Sequence, residues 1–175
     1  MKILTLALTF AFALNAHAGY EKTRWGTPLD KVKRFYPNGY VSKSQNGEFK
    51  YGVIRTVAGY SLGYVNFKFS AKKLLESVTI LFPDQSSTVR LKSEAYTPMK
   101  KYDCDQAAAS IKKGLLQKYG KPATDSTLEK TIWRSGVTDI ISFTSQPGPG
   151  GDLEHCTPTV YYGDEHVAKK VTDGL

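Results

Sequence analysis

The chain predicts an α+β domain in which one antiparallel sheet of about seven or eight strands carries its helices on one face. Three observations lead there. Two stretches place apolar residues at helical spacing, and they stop on Tyr36-Pro37 and on Tyr119-Gly120-Lys121-Pro122. Each is succeeded by runs rich in Val, Ile, Tyr, Phe and Thr, punctuated by turn residues. Within those runs apolar and polar residues alternate, as on a sheet with one dry and one wet face.

The first eighteen of the 175 residues, MKILTLALTFAFALNAHA, combine Lys2, an apolar run from Ile3 to Leu14 and an Ala16-His17-Ala18 cleavage pattern. A predominantly apolar run of twelve residues falls short of the roughly 20 that span a bilayer. The segment reads as a secretory signal peptide cut after Ala18. Residues 19–175 are then one α+β domain in two half-repeats, about 19–100 and 101–175, exported to the periplasm or the medium. Cys104 and Cys156 form an even pair, for which a disulfide is expected in an oxidising compartment.

Thr27-Pro28-Leu29-Asp30 predicts the first helix start, with Thr27 as cap, Pro28 at the first helical position and Asp30 completing a capping box. Leu29, Val32 and Phe35 share one face, and Pro37-Asn38-Gly39 stops the helix. Strands are expected over 40–44, 48–57, 60–69 and 74–82. Residues 83–102 are polar and read as either a further strand or a crossing segment. Asp103, with Gln106 behind it, predicts the start of a second helix, whose stripe is Cys104, Ala108, Ile111, Leu115 and Tyr119. Gly120 and Pro122 end it. Strands follow over 128–134, 137–144 and 156–163, with QPGPGGD as a hairpin loop. The expected core is Leu29, Val32, Phe35, Val65, Phe67, Phe69, Val78, Ile80, Ile111, Leu115, Ile132 and Phe143, with Trp133 closing one edge.

Trp25-Gly26-Thr27-Pro28 before a short helix ending Phe35-Tyr36-Pro37, and Leu115 to Pro122 before a Trp133-bearing hairpin, carry a resemblance. The pattern resembles the helix-plus-meander repeats of β-lactamase-inhibitor proteins and of the small outer-membrane assembly lipoproteins related to them. Two features differ: there is no lipid-attachment cysteine, and the first helix is one short segment where the inhibitors use a helical pair. The resemblance implies a noncatalytic protein-binding module and transfers no binding residue.

The residues themselves offer little catalytic chemistry. His155 and Cys156 are adjacent, so on a strand they point to opposite faces and suit no proton transfer. Asp152, Glu154 and His155 lie a strand's length from Asp164, Glu165 and His166, too far to share one ion. The glycine-rich loop lacks the Lys and Ser or Thr of a phosphate loop. No catalytic residue, metal set or cofactor motif is expected, and an envelope hydrolase is the minor alternative.

Charge is distributed unevenly. Residues 19–100 hold 14 Lys and Arg against 6 Asp and Glu, whereas 101–175 hold 9 against 10, within a net charge of +8. Tyrosines are interleaved with the cations of the first half. Tyr40, Tyr51, Arg55, Tyr64 and Lys68 are therefore the expected binding residues, since Tyr and Arg combine contact area with hydrogen bonding. The expected partner is another protein with an acidic surface, engaged by an inhibitor, immunity or envelope-assembly factor. An anionic glycan or lipopolysaccharide is the alternative, and neither nucleic acid nor a membrane span is expected.

Overall fold

The structure is a computed structural model and describes residues 19–124, 126, 130–135 and 139–164. The expected signal peptide, the first two residues of the 128–134 strand, the Gly136 turn, and Glu165 and His166 lie outside them. A small hairpin, β1 (Gly19–Tyr20) and β2 (Thr23–Arg24), precedes α1 (Leu29–Phe35). Then come β3 (Tyr40–Lys43), β4 (Phe49–Val57), β5 (Tyr60–Phe69) and β6 (Leu75–Leu81). A connection with a 3-10 turn at Leu91–Ser93 reaches β7 (Met99–Lys100) and α2 (Lys101–Tyr119). The chain continues through β8 (Lys130–Ser135), β9 (Asp139–Gly148) and β10 (Asp152–Asp164).

The architecture is α+β. An eight-stranded antiparallel sheet runs β3-β4-β5-β6-β10-β9-β8, with β7 paired against the start of β10. Register aligns Tyr51, Phe67, Val78, Tyr162, Ile141 and Trp133 in one row across six strands. Val53, Val65, Ile80, Val160 and Phe143 form the adjacent row on the same face. Leu29 and Val32 of α1, and Cys104, Ala107, Ile111 and Leu115 of α2, join the buried cluster over these rows. Both helices therefore cover one face. Burying each large apolar side chain contributes roughly 2 kcal/mol, set against the entropy of ordering it. The Cys104–Cys156 disulfide, with Cα atoms 5.8 Å apart, ties α2 to β10.

Several expectations need correcting. The sequence reading puts Ile132 in the core and Trp133 at its edge; the register does the reverse. Trp133 is 1% exposed and donates its indole N–H to Gly120 O at 3.0 Å. Ile132 pairs with Ser142 on the other face. One step of strand parity exchanges the two. Phe35 is only partly buried, with Lys31 Nζ 5.9 Å from its ring centre.

Neither helix has a side-chain cap. Thr27 Oγ1 instead accepts the Arg24 N–H at 3.0 Å, closing the turn before α1, and Asp30 pairs with Lys33. Helix α2 begins at Lys101, two residues ahead of Asp103. The glycine-rich loop is shorter than expected because β9 continues through Gln146 to Gly148. Residues 83–98 are the crossing segment. Glu94 anchors it to the helix-free face, accepting from Ser42 Oγ at 3.1 Å and from Lys50 Nζ at 3.2 Å.

Candidate functional site

The five residues expected to bind do not form one patch. Register puts Tyr40, Tyr64 and Lys68 on the helix-free face, and Tyr51 with Arg55 on the helix side. Tyr51 is only 2% exposed. Its hydroxyl donates to Tyr36 O at 2.6 Å and accepts the Gly39 N–H at 2.9 Å, so it fastens the end of α1 to β4. A Cβ on Gly39 would lie 2.3 Å from the Tyr51 ring, so only glycine permits this approach.

Arg55 is engaged as well. Its guanidinium bonds Glu21 Oε2 at 2.7 Å and lies 5.2 Å from the Tyr36 ring centre, while Tyr36 Oη donates to the same carboxylate at 3.2 Å. Tyr64 is 2% exposed, and burial together with the Glu94 charge pushes its hydroxyl up to about 12. Lys68 pairs with Glu48 at 3.1 Å and Lys50 with Glu94. Three cations of the first meander, Lys50, Arg55 and Lys68, are thus ion-paired. Tyr40, at 38% exposed, remains accessible. Ile54, 36% exposed, stands beside it on the helix-free face, two residues beyond the Tyr40 partner Gly52.

The disulfide removes Cys156 from thiol chemistry. His155 Nδ1 lies 2.6 Å from Asp152 Oδ2, an exposed pair at the strand end. Among the described residues no three His, Cys, Asp or Glu side chains converge to hold a metal.

The main concavity was not foreseen. A cleft of about 770 Å³ opens on the helix side of the sheet, between α2 and the β1–β2 hairpin. Its floor is Ile80, Phe82, Ile141 and Val160; Ile111 and Leu115 form one wall, Tyr20 and Trp25 the other. That volume lies within the range of small-ligand sites.

Aromatic hydroxyls gather at one end. The Tyr20 ring lies 5.2 Å from that of Tyr162, whose hydroxyl interacts with Tyr119. Burial, then the Tyr119 dipole and charge, raise Tyr162 far above an ordinary phenol; burial and Glu21 do the same to Tyr20. Both therefore stay protonated donors throughout the neutral range. Tyr20 is 5% exposed; among the described residues its hydroxyl makes no well-formed hydrogen bond, although the Glu21 carboxylate acts on it. The lining comes from widely separated stretches of sequence, joined only by the fold. The one local signal was Gly114, a glycine inside an otherwise regular helix.

Comparisons with family models, with curated proteins and with solved structures find no match.

Proposed function

We propose that this chain is an exported, noncatalytic module that binds another protein, in the manner of an inhibitor, immunity or envelope-assembly factor. The observation that carries the reading is that Tyr40 and Ile54, two exposed large apolar side chains, are diagonal neighbours on the face the helices leave free. Lys50 and Lys68 border them in the same meander, giving the apolar centre and polar surround of a transient interface. The leader pattern of residues 1–18 and the disulfide fit the periplasm or the medium. The half-repeat belongs to the same proposal: α1 leads into β3–β6 and α2 into β8–β10, two units meeting at the β6–β10 pair.

The test uses Ile54→Glu with Tyr40→Ala. Both positions are exposed, so the fold should persist while binding to the partner falls at least tenfold, the loss expected when a central anchor is removed. Tyr51→Ala is unsuitable because it would loosen α1. Unchanged partner affinity in the double variant would remove this face from the proposal.

Lys43 and Lys73, which flank the Phe49 ring at 5.6 and 5.2 Å, favour the anionic-glycan alternative. That reading requires binding that weakens steeply with added salt.

A further inference from the structure

The cleft beside α2 is chemically graded from end to end. Helix α2 runs in the same direction as β10, with Cys104 tied to Cys156 at one end and Tyr119 against Tyr162 at the other. Moving along the floor from Tyr162 through Val160 toward the Phe82–Pro158 pair covers four residues, about 13 Å at strand rise. The Tyr162 end holds phenol hydroxyls and Lys118, whose ammonium lies 5.0 Å from the Tyr119 ring centre. The Phe82 end is apolar, with Ile80 and Ile111 beside it.

Charge at the mouth is positive. Among the described residues Lys113 and Lys118 have no carboxylate partner, whereas Glu21, the acid that lines the cleft, is held by Arg55. Inside, the buried Tyr20 hydroxyl makes no well-formed hydrogen bond among the described residues, and the Glu21 carboxylate is the acceptor with which a ligand oxygen would compete for it. Space is kept open as well. Gly114 lies within α2, where glycine is disfavoured by roughly 1 kcal/mol relative to alanine. A Cβ there would meet nothing within 4 Å. Ser110, one turn earlier, is also small. Both positions are exposed, so small residues there leave the rim of the cleft unobstructed.

We propose that the cleft binds an anionic amphiphile with a single acyl chain. The chain lies on the Ile80, Phe82 and Val160 floor. The head group sits at the Tyr162 end, where its oxygen accepts from Tyr20 and its charge faces Lys118. This site lies on the opposite side of the sheet from the Tyr40–Ile54 surface and does not depend on it.

Sodium dodecanoate and uncharged dodecanol are the probes, titrated into the purified chain below micellar concentration and followed by Trp25 fluorescence and calorimetry. Dodecanoate should bind saturably at one site and about tenfold more tightly than dodecanol, as expected for one charge-assisted contact. Lys118→Glu should erase that preference while leaving dodecanol affinity unchanged. Gly114→Phe should abolish binding of both, with helix content retained. Absence of saturable binding, equal affinity for the two probes, or dodecanoate binding unchanged in Gly114→Phe would each overturn the proposal. Should Gly114→Phe fail to fold, the Lys118→Glu comparison decides alone.

Discussion

Replacing Gly114 by alanine probes helix energetics and the openness of the cleft together. Gly114 is the fourteenth residue of α2, flanked on both sides by regular helix. Alanine removes backbone freedom from the unfolded chain and adds one methyl group, which in the folded state meets nothing within 4 Å. No packing term opposes the gain, so the full propensity difference should appear, about 0.5–1 kcal/mol in favour of the variant. For a domain of this size that corresponds to a rise in Tm of roughly 1–4 °C. Urea unfolding followed by circular dichroism should show a higher midpoint and an unchanged slope. A lower midpoint would mean that the space over Gly114 is filled, and the open cleft would have to be abandoned.

Replacing both cysteines by serine opens a loop closed by residues 52 positions apart, for which chain entropy gives a loss of about 4 kcal/mol; denaturant titration of the double variant measures it. Phe67→Ala removes a fully buried ring at the sheet centre and should cost about 3–5 kcal/mol by the same assay. Alkali provides a third test, because Tyr20, Tyr36, Tyr64 and Tyr162 all have raised values in the folded state, Tyr36 to about 12 through burial and then Glu21. Unfolded tyrosine ionises near 10, so this contribution is complete below that pH and is lost as pH climbs toward 12. Tyrosinate absorbance should therefore rise late and together with loss of ellipticity; gradual titration without unfolding would contradict the burial of these hydroxyls.

Strands were legible in the sequence where one face is dry. The alternation of Val65, Phe67 and Phe69 with Asn66 and Lys68 placed β5 to the residue and gave its core face. The strand expected over 128–134 is found over Lys130–Ser135 among the described residues, yet Ile132 and Trp133 are both apolar, so alternation there has no contrast and the parity is reversed. Residues 83–98 carry no period because their contacts are long-range polar ones, such as Glu94 with Ser42 and Lys50. That segment is what changes the expected binding face, since it brings Glu94 and Tyr96 against Tyr64. Helix-start chemistry misled because Thr27 serves a turn rather than a cap. The cleft depends on six separate stretches coming together, and no local pattern encodes that. The Cys104 stripe and the Cys156 strand, in contrast, were enough to anticipate the disulfide.

The most direct test of the binding-module reading is recovery of partners from an envelope extract with the tagged chain, at low and at high salt, identified by mass spectrometry. The chain should retain one stoichiometric protein at both salt concentrations, and the Tyr40→Ala, Ile54→Glu variant should lose it. Recovery of glycan or lipid alone, released by salt, would contradict a protein partner and move recognition to the basic Lys43 and Lys73 surface.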